Sequence, residues 1–224
     1  MNYYTNKDPT YFCEFREDIF NVIKIIGSFD KVLEVGCGSG ALLGRLKREG
    51  VARTTAGLDP YAHPSDDENV DLFYHDRIES VLPKLATNYR YDLIIFADIL
   101  EHLEDPWTIL NTICHENLAA RGMVVISLPN FRNVYTLARV LTLNSFEYKS
   151  DGVLDKTHLR FFCKNDVVRL VEDAGLEIKL LTQNFKFKRA VFFRRNRLKY
   201  INYLTLNLFP FWLSDQVIAV AKKR

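Results

Sequence analysis

Residues Val32 to Leu46, VLEVGCGSGALLGRL, constrain the chain more than any other stretch: a short apolar run meets three glycines spaced two apart, and a helix-forming segment follows at once. An apolar run of that length closed by a turn reads as a buried strand. In such a turn Gly36, Gly38 and Gly40 let the backbone take positive φ and approach a ligand closely, and the helix start behind them offers unpaired N–H groups. The unit implies a nucleotide or a similar ligand. Gly36, Gly38 and Ala41 also satisfy the dinucleotide fingerprint, so the turn by itself leaves a dinucleotide open.

The rest of the chain repeats the strand-then-helix theme. Strand-like runs fall at KVLEVG (31–36), TTAGL (54–58), VDLFYH (70–75), YDLIIFA (91–97), GMVVISL (122–128), LEIKLLT (176–182) and QVIAVAKK (216–223). Helices are expected from Ala41 to Glu49, stopped by Gly50, from Asp105 to Leu118 with Pro106 in the first turn, and from Asn165 to Ala174 with Asn165 as cap and Gly175 as stop. An α/β fold follows, a mostly parallel, doubly wound Rossmann-like sheet with helices on both faces. The reading is one domain over 1–224. It carries a helical N-terminal extension, 1–29, whose Phe15, Ile19, Phe20, Val22, Ile23 and Ile26 recur at helical spacing, and an insertion at about 184–214.

That insertion is where charge is unevenly spread. The chain has 224 residues, 48% hydrophobic and 26% charged, with a net charge of +2, the balance of an ordinary globular protein and not of a polycation. Yet from Ile178 to Ser214 there are eight Lys or Arg and no Asp or Glu, interleaved with aromatics in FKFKRAVFFRRNRLKYINYLTLNLFPFWL. Such a segment suits an anionic partner or a membrane interface, or else forms a helical cover over the substrate pocket. No DNA or RNA module is visible, so nucleic acid is not the expected partner. Cys13, Cys37, Cys114 and Cys163 are far apart with no His at ligand spacing, and no metal centre or disulfide framework is expected. The N-terminal MNYYTNKDPTYF has no leader pattern, and the longest uncharged stretch, Tyr200 to Leu213, is too short to span a bilayer; the expected location is cytoplasmic, with peripheral membrane contact through 186–213 kept as an option.

Acidic residues sit at the ends of four successive strands. Glu34 lies two residues before the first glycine, where it would repel a pyrophosphate but suits a cation or a ribose. Asp59 follows the second strand, at the distance where a carboxylate meets ribose hydroxyls. Asp76 ends the third strand, and Ala97 and Asp98 end the fourth. Such a rim fits a ligand with positive charge and hydroxyls.

With these residues on the page, the sequence resembles the class I S-adenosylmethionine-dependent methyltransferases, in particular the branch with ubiquinone-biosynthesis and sugar or polysaccharide O-methyltransferases. VLEVGCGSG, GLDP, HDRIES and DLIIFADILEHLEDP resemble its motifs in order, and SLPNFRNVY and DKTHLRFF resemble segments after its fifth strand. The resemblance implies seven strands with the last antiparallel, and S-adenosyl-L-methionine as cofactor. It places the cofactor among Glu34, Gly36, Cys37, Gly38, Gly40, Asp59, Pro60, Asp76, Arg77, Ile78, Ala97 and Asp98. Cys37 reads as a small buried filler, and Asp59 alone would also suit an ordinary turn before Pro60.

Methyl transfer from a sulfonium chiefly requires collinear reactants and exclusion of water, and a hydroxyl acceptor gains from a general base. Candidates are Asp98, His102, Asp155 and His158, each with a structural alternative: His102 in orienting the loop after the fourth strand, Asp155 and His158 in tying the later loop to the sheet. Tyr3, Tyr4, Tyr11 and Arg16 stand as residues that would lid the pocket or pack; Phe15 and Ile19 are expected to pack. The expected reaction is O-methylation of a sugar, glycan precursor or other small hydroxylated metabolite. An NAD-dependent oxidoreductase and a cofactor-binding module without turnover are the alternatives.

Overall fold

The structure, a computed structural model, describes residues 15–61, 70–85, 89–184 and 210–224. Seven strands form one mixed sheet: β1 (Phe29–Val35), β2 (Ala52–Leu58), β3 (Leu72–Tyr74), β4 (Tyr91–Ala97), β5 (Leu118–Pro129), β6 (Leu176–Asn184) and β7 (Gln216–Lys223). Their order is β3-β2-β1-β4-β5-β7-β6. The pairs among β1 to β5 are parallel, and β7 runs antiparallel to both β5 and β6. All seven expected strands are present, the last reversed as the resemblance implied.

The apolar runs are continuous because both faces of the sheet are covered. Side chains alternate across a strand, so Val32 of β1 joins one core layer with Leu93 and Ile95 of β4, while Leu33 and Val35 join the other with Ile94 and Phe96. The first layer is closed by α1 (Glu17–Ile26), which buries Ile19, Phe20 and Ile23, and by α2 (Ala41–Arg48). The second is closed by α3 (Ile78–Val81), α4 (Pro106–Asn117) and α6 (Lys164–Asp173).

Helix ends follow local chemistry. The Asp105 carboxylate accepts from the Thr108 N–H to cap α4, with Pro106 in its first turn, and Gly50 turns the chain after α2 at φ +68°. At α6 the cap is Cys163, not Asn165: the Asp166 carboxylate reaches back to accept from the Cys163 N–H at 2.9 Å, which draws Asn165 into the first turn. A helix that sequence reasoning did not find, α5 (Val134–Leu143), starts where Asn133 accepts from the Tyr135 N–H at 2.9 Å. Its Leu141 and Leu143 are exposed, and of its residues only Thr136 is buried, so it lies on the surface and adds little to the core. Phe15 is also exposed, resting on the Phe20 ring at 5.8 Å, and does not join the core as expected. The short helix α7 (Pro210–Leu213) precedes β7, and Asn130 and Asn133 pin the chain there by donating to the Ser214 carbonyl at 3.1 and 3.0 Å.

Tyr3, Tyr4, Tyr11 and the insertion from 185 to 209 lie outside the described residues. Among the described residues, no helix is long and apolar enough to cross a membrane. The chain moves from β1 outward to β2 and β3 on one side, then returns to β4 and β5 on the other. A crevice opens at such a reversal, outside the carboxyl ends of β1 and β4.

Candidate active site

The glycine turn lies at the mouth of that crevice. Gly36, Gly38 and Gly40 take φ of +73°, +53° and +75°, a region that side chains disfavour. The turn folds back over β2, with the Gly36 and Cys37 N–H groups donating to the Leu58 carbonyl at 2.7 and 3.1 Å. A Cβ on Gly36 would fall 2.9 Å from Ile99 Cδ1, so the segment after β4 packs directly on the turn. Cys37 is buried, with Sγ filling the space above Gly57, and burial pushes its thiol far above the ordinary range; it has no nucleophilic character.

Asp59 joins the turn to the segment after β2. One carboxylate oxygen accepts from the Gly38 N–H at 2.9 Å and the other from the Tyr61 N–H at 2.8 Å, and the side chain is buried. Pro60 follows, half-buried. The carboxylate thus orients the turn from below while lying within electrostatic reach of Glu34.

Glu34 lies in β1 directly beneath the turn, 4% exposed, and its Oε2 has no hydrogen-bond partner. Burial raises its carboxyl to about 8, against the pull of Arg16 and with a further push from Asp59. Leaving a buried polar atom without a partner costs about 1–3 kcal/mol.

Arg16, just before α1, ties the N-terminal segment to three strand ends. Its guanidinium pairs with Asp98 and Asp18, and donates to Ser127 Oγ at 2.9 Å and Gln216 Oε1 at 2.6 Å. Gln216 in turn donates to Asp98 Oδ1 at 2.6 Å, and Asn184 donates to Asp18 at 2.8 Å. Burial works against the guanidinium charge, but Asp98 and Asp18 outweigh it and hold it charged. Asp98 itself takes a positive φ of 59°, strained for a side-chain residue, directly after Ala97 at the end of β4. As a base candidate Asp98 is engaged by a buried cation and an amide, which gives it a holding role in this arrangement. Sequence reasoning named Arg16 but not Asp18, Ser127 or Gln216; a lone Gln opening an apolar strand is the only local signal.

At the outer edge, Asp76 accepts from the Arg77 N–H at 2.8 Å and lies 3.5 Å from the Lys84 ammonium; the backbone contact leads in holding its carboxyl below the usual range. The Arg77 side chain is exposed, while Ile78 is buried in the core at the start of α3.

The remaining base candidates cluster beyond β4. His102 closes the 3-10 turn Leu100–His102, and its ring stacks edge-on against His158 with centroids 4.7 Å apart. Burial, then the neighbouring His158, lowers His102 to about 4. Asp155 accepts from the Thr157 N–H and hydroxyl at 2.9 and 2.7 Å, closing the turn that presents His158. That places Asp155 as a loop brace. Glu101, which sequence reasoning passed over, is buried between the two histidines. Outward from His158 runs an aromatic wall: Phe161 meets Phe131 and Phe146 at 5.4 Å each, and Phe146 meets Tyr148 at 5.4 Å.

Taken together, the crevice offers a buried carboxylate oxygen to a cation, a bare backbone turn to a flat or sugar-like group, and a guanidinium to a carboxylate. These are the groups of an amino-acid-bearing nucleoside with a positive centre.

The pattern of a methyltransferase domain matches residues 4–181. The ubiquinone biosynthesis O-methyltransferase of Serratia proteamaculans (strain 568) is 31% identical over 184 residues, covering 74% of this chain and 73% of the relative. The protein of the same name from Rickettsia canadensis (strain McKiel) is 26% identical over 160 residues, covering 67% of this chain and 64% of the relative, so the match spans less than two thirds of that protein. Among solved structures, the N-methyltransferase NodS from Bradyrhizobium japonicum WM9, in complex with S-adenosyl-L-homocysteine, aligns with a TM-score of 0.59 at 16% identity, over 100% of this chain and 99% of that one. The antiparallel β7 between β5 and β6, together with the family match, sets aside the oxidoreductase reading. A chain with this sheet order and a methyltransferase pattern over most of its length belongs to the class I S-adenosylmethionine-dependent methyltransferase family.

Proposed function

We propose that the chain transfers the methyl group of S-adenosyl-L-methionine to a hydroxyl of a small acceptor: a sugar, a glycan precursor or another hydroxylated metabolite. The observation that carries this reading is the unpartnered Glu34 oxygen beneath a glycine turn at positive φ. S-adenosylmethionine supplies an electrophilic methyl on a sulfonium. Glu34 meets the amino group or a ribose hydroxyl, the Gly36–Gly40 backbone lies along the nucleoside, and Arg16 receives the carboxylate. Asp59 holds the turn in place and supplies the ribose side, and Ile78 and Arg77 border the adenine side.

The hydroxyl assignment draws on the relatives, which are called O-methyltransferases. The aromatic wall of Phe131, Phe146 and Phe161 beside His158 suits the face of a ring, whether the C–H face of a sugar or an aromatic ring. Residues 186–209 of the basic segment 186–213 lie outside the described residues, and the segment is read as the contact for an anionic or lipid-linked acceptor, which flotation with anionic liposomes at low salt tests; no flotation removes that contact.

Calorimetry with S-adenosylhomocysteine, followed by a labelled methyl donor over a panel of glycosides and phenols, tests the reaction. Asp59→Ala is expected to weaken binding by about 10–100-fold, the loss of one to two charge-assisted hydrogen bonds. Unchanged affinity refutes the placement of the nucleoside, and label appearing only on amine acceptors refutes the hydroxyl reading.

A further inference from the structure

The N–H groups of the Arg16 guanidinium are shared among several side chains that lie at different depths. Nε and Nη2 form a fork on the two Asp18 oxygens at 2.9 Å each, and Nη2 also donates to Ser127 Oγ at 2.9 Å and to Gln216 Oε1 at 2.6 Å. Nη1 donates to Asp98. Ser127 and Gln216 are 0% and 6% exposed, the Asp18 side chain is 16% exposed, and the Asp98 side chain is 27% exposed. Asp18, Ser127 and Gln216 therefore hold the cation from the protein side, while Asp98, at the end of β4, covers its Nη1 edge from the crevice. A carboxylate entering the crevice meets Asp98 before it meets Arg16.

Asp98 can leave that edge by turning its side chain alone. Its own N–H donates to the Ser127 carbonyl at 3.0 Å, so the backbone stays fastened to β5 at its positive φ of 59°. One carboxylate oxygen is on Arg16, and the other accepts from Gln216 Nε2 at 2.6 Å. The fork on the opposite edge needs no adjustment, because Asn184 donates to Asp18 at 2.8 Å and steadies it. Two carboxylates side by side on Nη1 repel each other in a partly dry site, so the edge serves one at a time.

We infer that Asp98 is a placeholder for the carboxylate of the methyl donor: it pairs with Arg16 while the crevice is empty, and the donor's carboxylate replaces it on Nη1. The inference rests on the reading in which Arg16 receives that carboxylate. One negative charge is exchanged for another, so the buried cation is paired in both states. Lifting Asp98 away lowers the affinity for every ligand with an amino-acid end, the demethylated product included, which favours product release. A nucleoside without that end leaves the Arg16–Asp98 pair in place.

Wild type and Asp98→Asn are titrated by calorimetry with S-adenosylhomocysteine and with methylthioadenosine, the same nucleoside thioether lacking the amino-acid end. Asparagine keeps the shape, tolerates positive φ and removes the charge. If the Nη1 edge is open about a tenth of the time in the wild type, the variant is expected to bind S-adenosylhomocysteine about 5–10-fold more tightly and methylthioadenosine within about twofold of the wild type. A second readout needs no variant: the side-chain carboxyl carbon of Asp98, assigned in the wild type through the backbone by NMR, is expected to shift with S-adenosylhomocysteine and not with methylthioadenosine. Equal or weaker S-adenosylhomocysteine binding by folded Asp98→Asn overturns the exchange, as does a carboxyl carbon that responds alike to both ligands. Should the variant not fold, the carbon decides by itself. A wild-type chain that binds neither ligand refutes the donor-binding reading and the exchange with it, whereas one that binds S-adenosylhomocysteine with no gain in the variant refutes the exchange alone.

Discussion

Glu34→Gln separates the two demands on the residue beneath the glycine turn. In the folded chain burial raises the Glu34 carboxyl from 4.5 to about 8. Between those values the folded state holds a proton that the unfolded state has released, so stability is full below about pH 4.5, falls as pH rises toward 8, and levels off above it. At about 1.36 kcal/mol per unit, the ceiling on that loss is roughly 5 kcal/mol. Glutamine keeps the shape and never ionises. The variant and the wild type should therefore unfold together near pH 5 and separate toward pH 8, with the variant the more stable. For a domain of this size about 2–4 °C accompanies each kcal/mol, so half the ceiling already gives a gap of about 5 °C or more. Thermal unfolding from pH 5 to 8.5 reads the gap directly. S-adenosylhomocysteine titrations supply the other half: the variant binds more weakly, and only the wild type releases a proton on binding at pH 7, seen as a dependence of binding heat on buffer. A gap that does not change with pH, or equal proton release by both chains, refutes the reasoning.

Two further outcomes follow from the same crevice. Gly36→Ala forces a side chain to φ +73° and sets its Cβ against Ile99, so a loss of about 1–2 kcal/mol from the backbone plus a steric share is expected in urea unfolding; adding Ile99→Ala should recover only the steric share. Arg16→Ala leaves Asp98 and Asp18 without their buried cation and should cost about 3–5 kcal/mol in the same assay; Arg16→Lys, which keeps the charge but not the forked contacts to Ser127 and Gln216, should lose less, and equal losses would show that charge is not what the position supplies.

The central strands β1, β2, β4 and β5 were legible because parallel strands covered on both faces are apolar over most of their length, and the glycines because positive φ has few other tenants. Helix ends were legible where Asp105, Pro106 and Gly50 mark them, and slipped at α6, where a backbone N–H reaching Asp166 outranked the side chain of Asn165. Helix α5 was hidden because it contributes little to the core: Tyr135, Leu141 and Leu143 are exposed. In the site, local motifs pointed to Glu34, Asp59 and Asp98, whose positions relative to neighbouring strands are fixed by register. What no motif carries is the meeting of Arg16 with Ser127 and Gln216, or of Glu101 with His158. Those contacts exist only once distant strand ends are side by side, and single-residue patterns hold no record of them.

Strand β7 is flanked by β5 on one side and β6 on the other, and among the described residues β6 has no other neighbour in the sheet. Residues 176–184 therefore have nowhere to dock until residues 216–223 have left the ribosome and slid into the gap, although α6 can already have formed. Gln216 arrives with that strand, and with it the amide that spans Arg16 and Asp98. A growing chain halted before residue 216 should thus present a five-stranded sheet with a loose edge, a state with a strand edge open to mispairing. Synthesis and completion of the crevice are in this way chronologically linked: the Arg16–Asp98 network is finished only when the seventh strand is laid down.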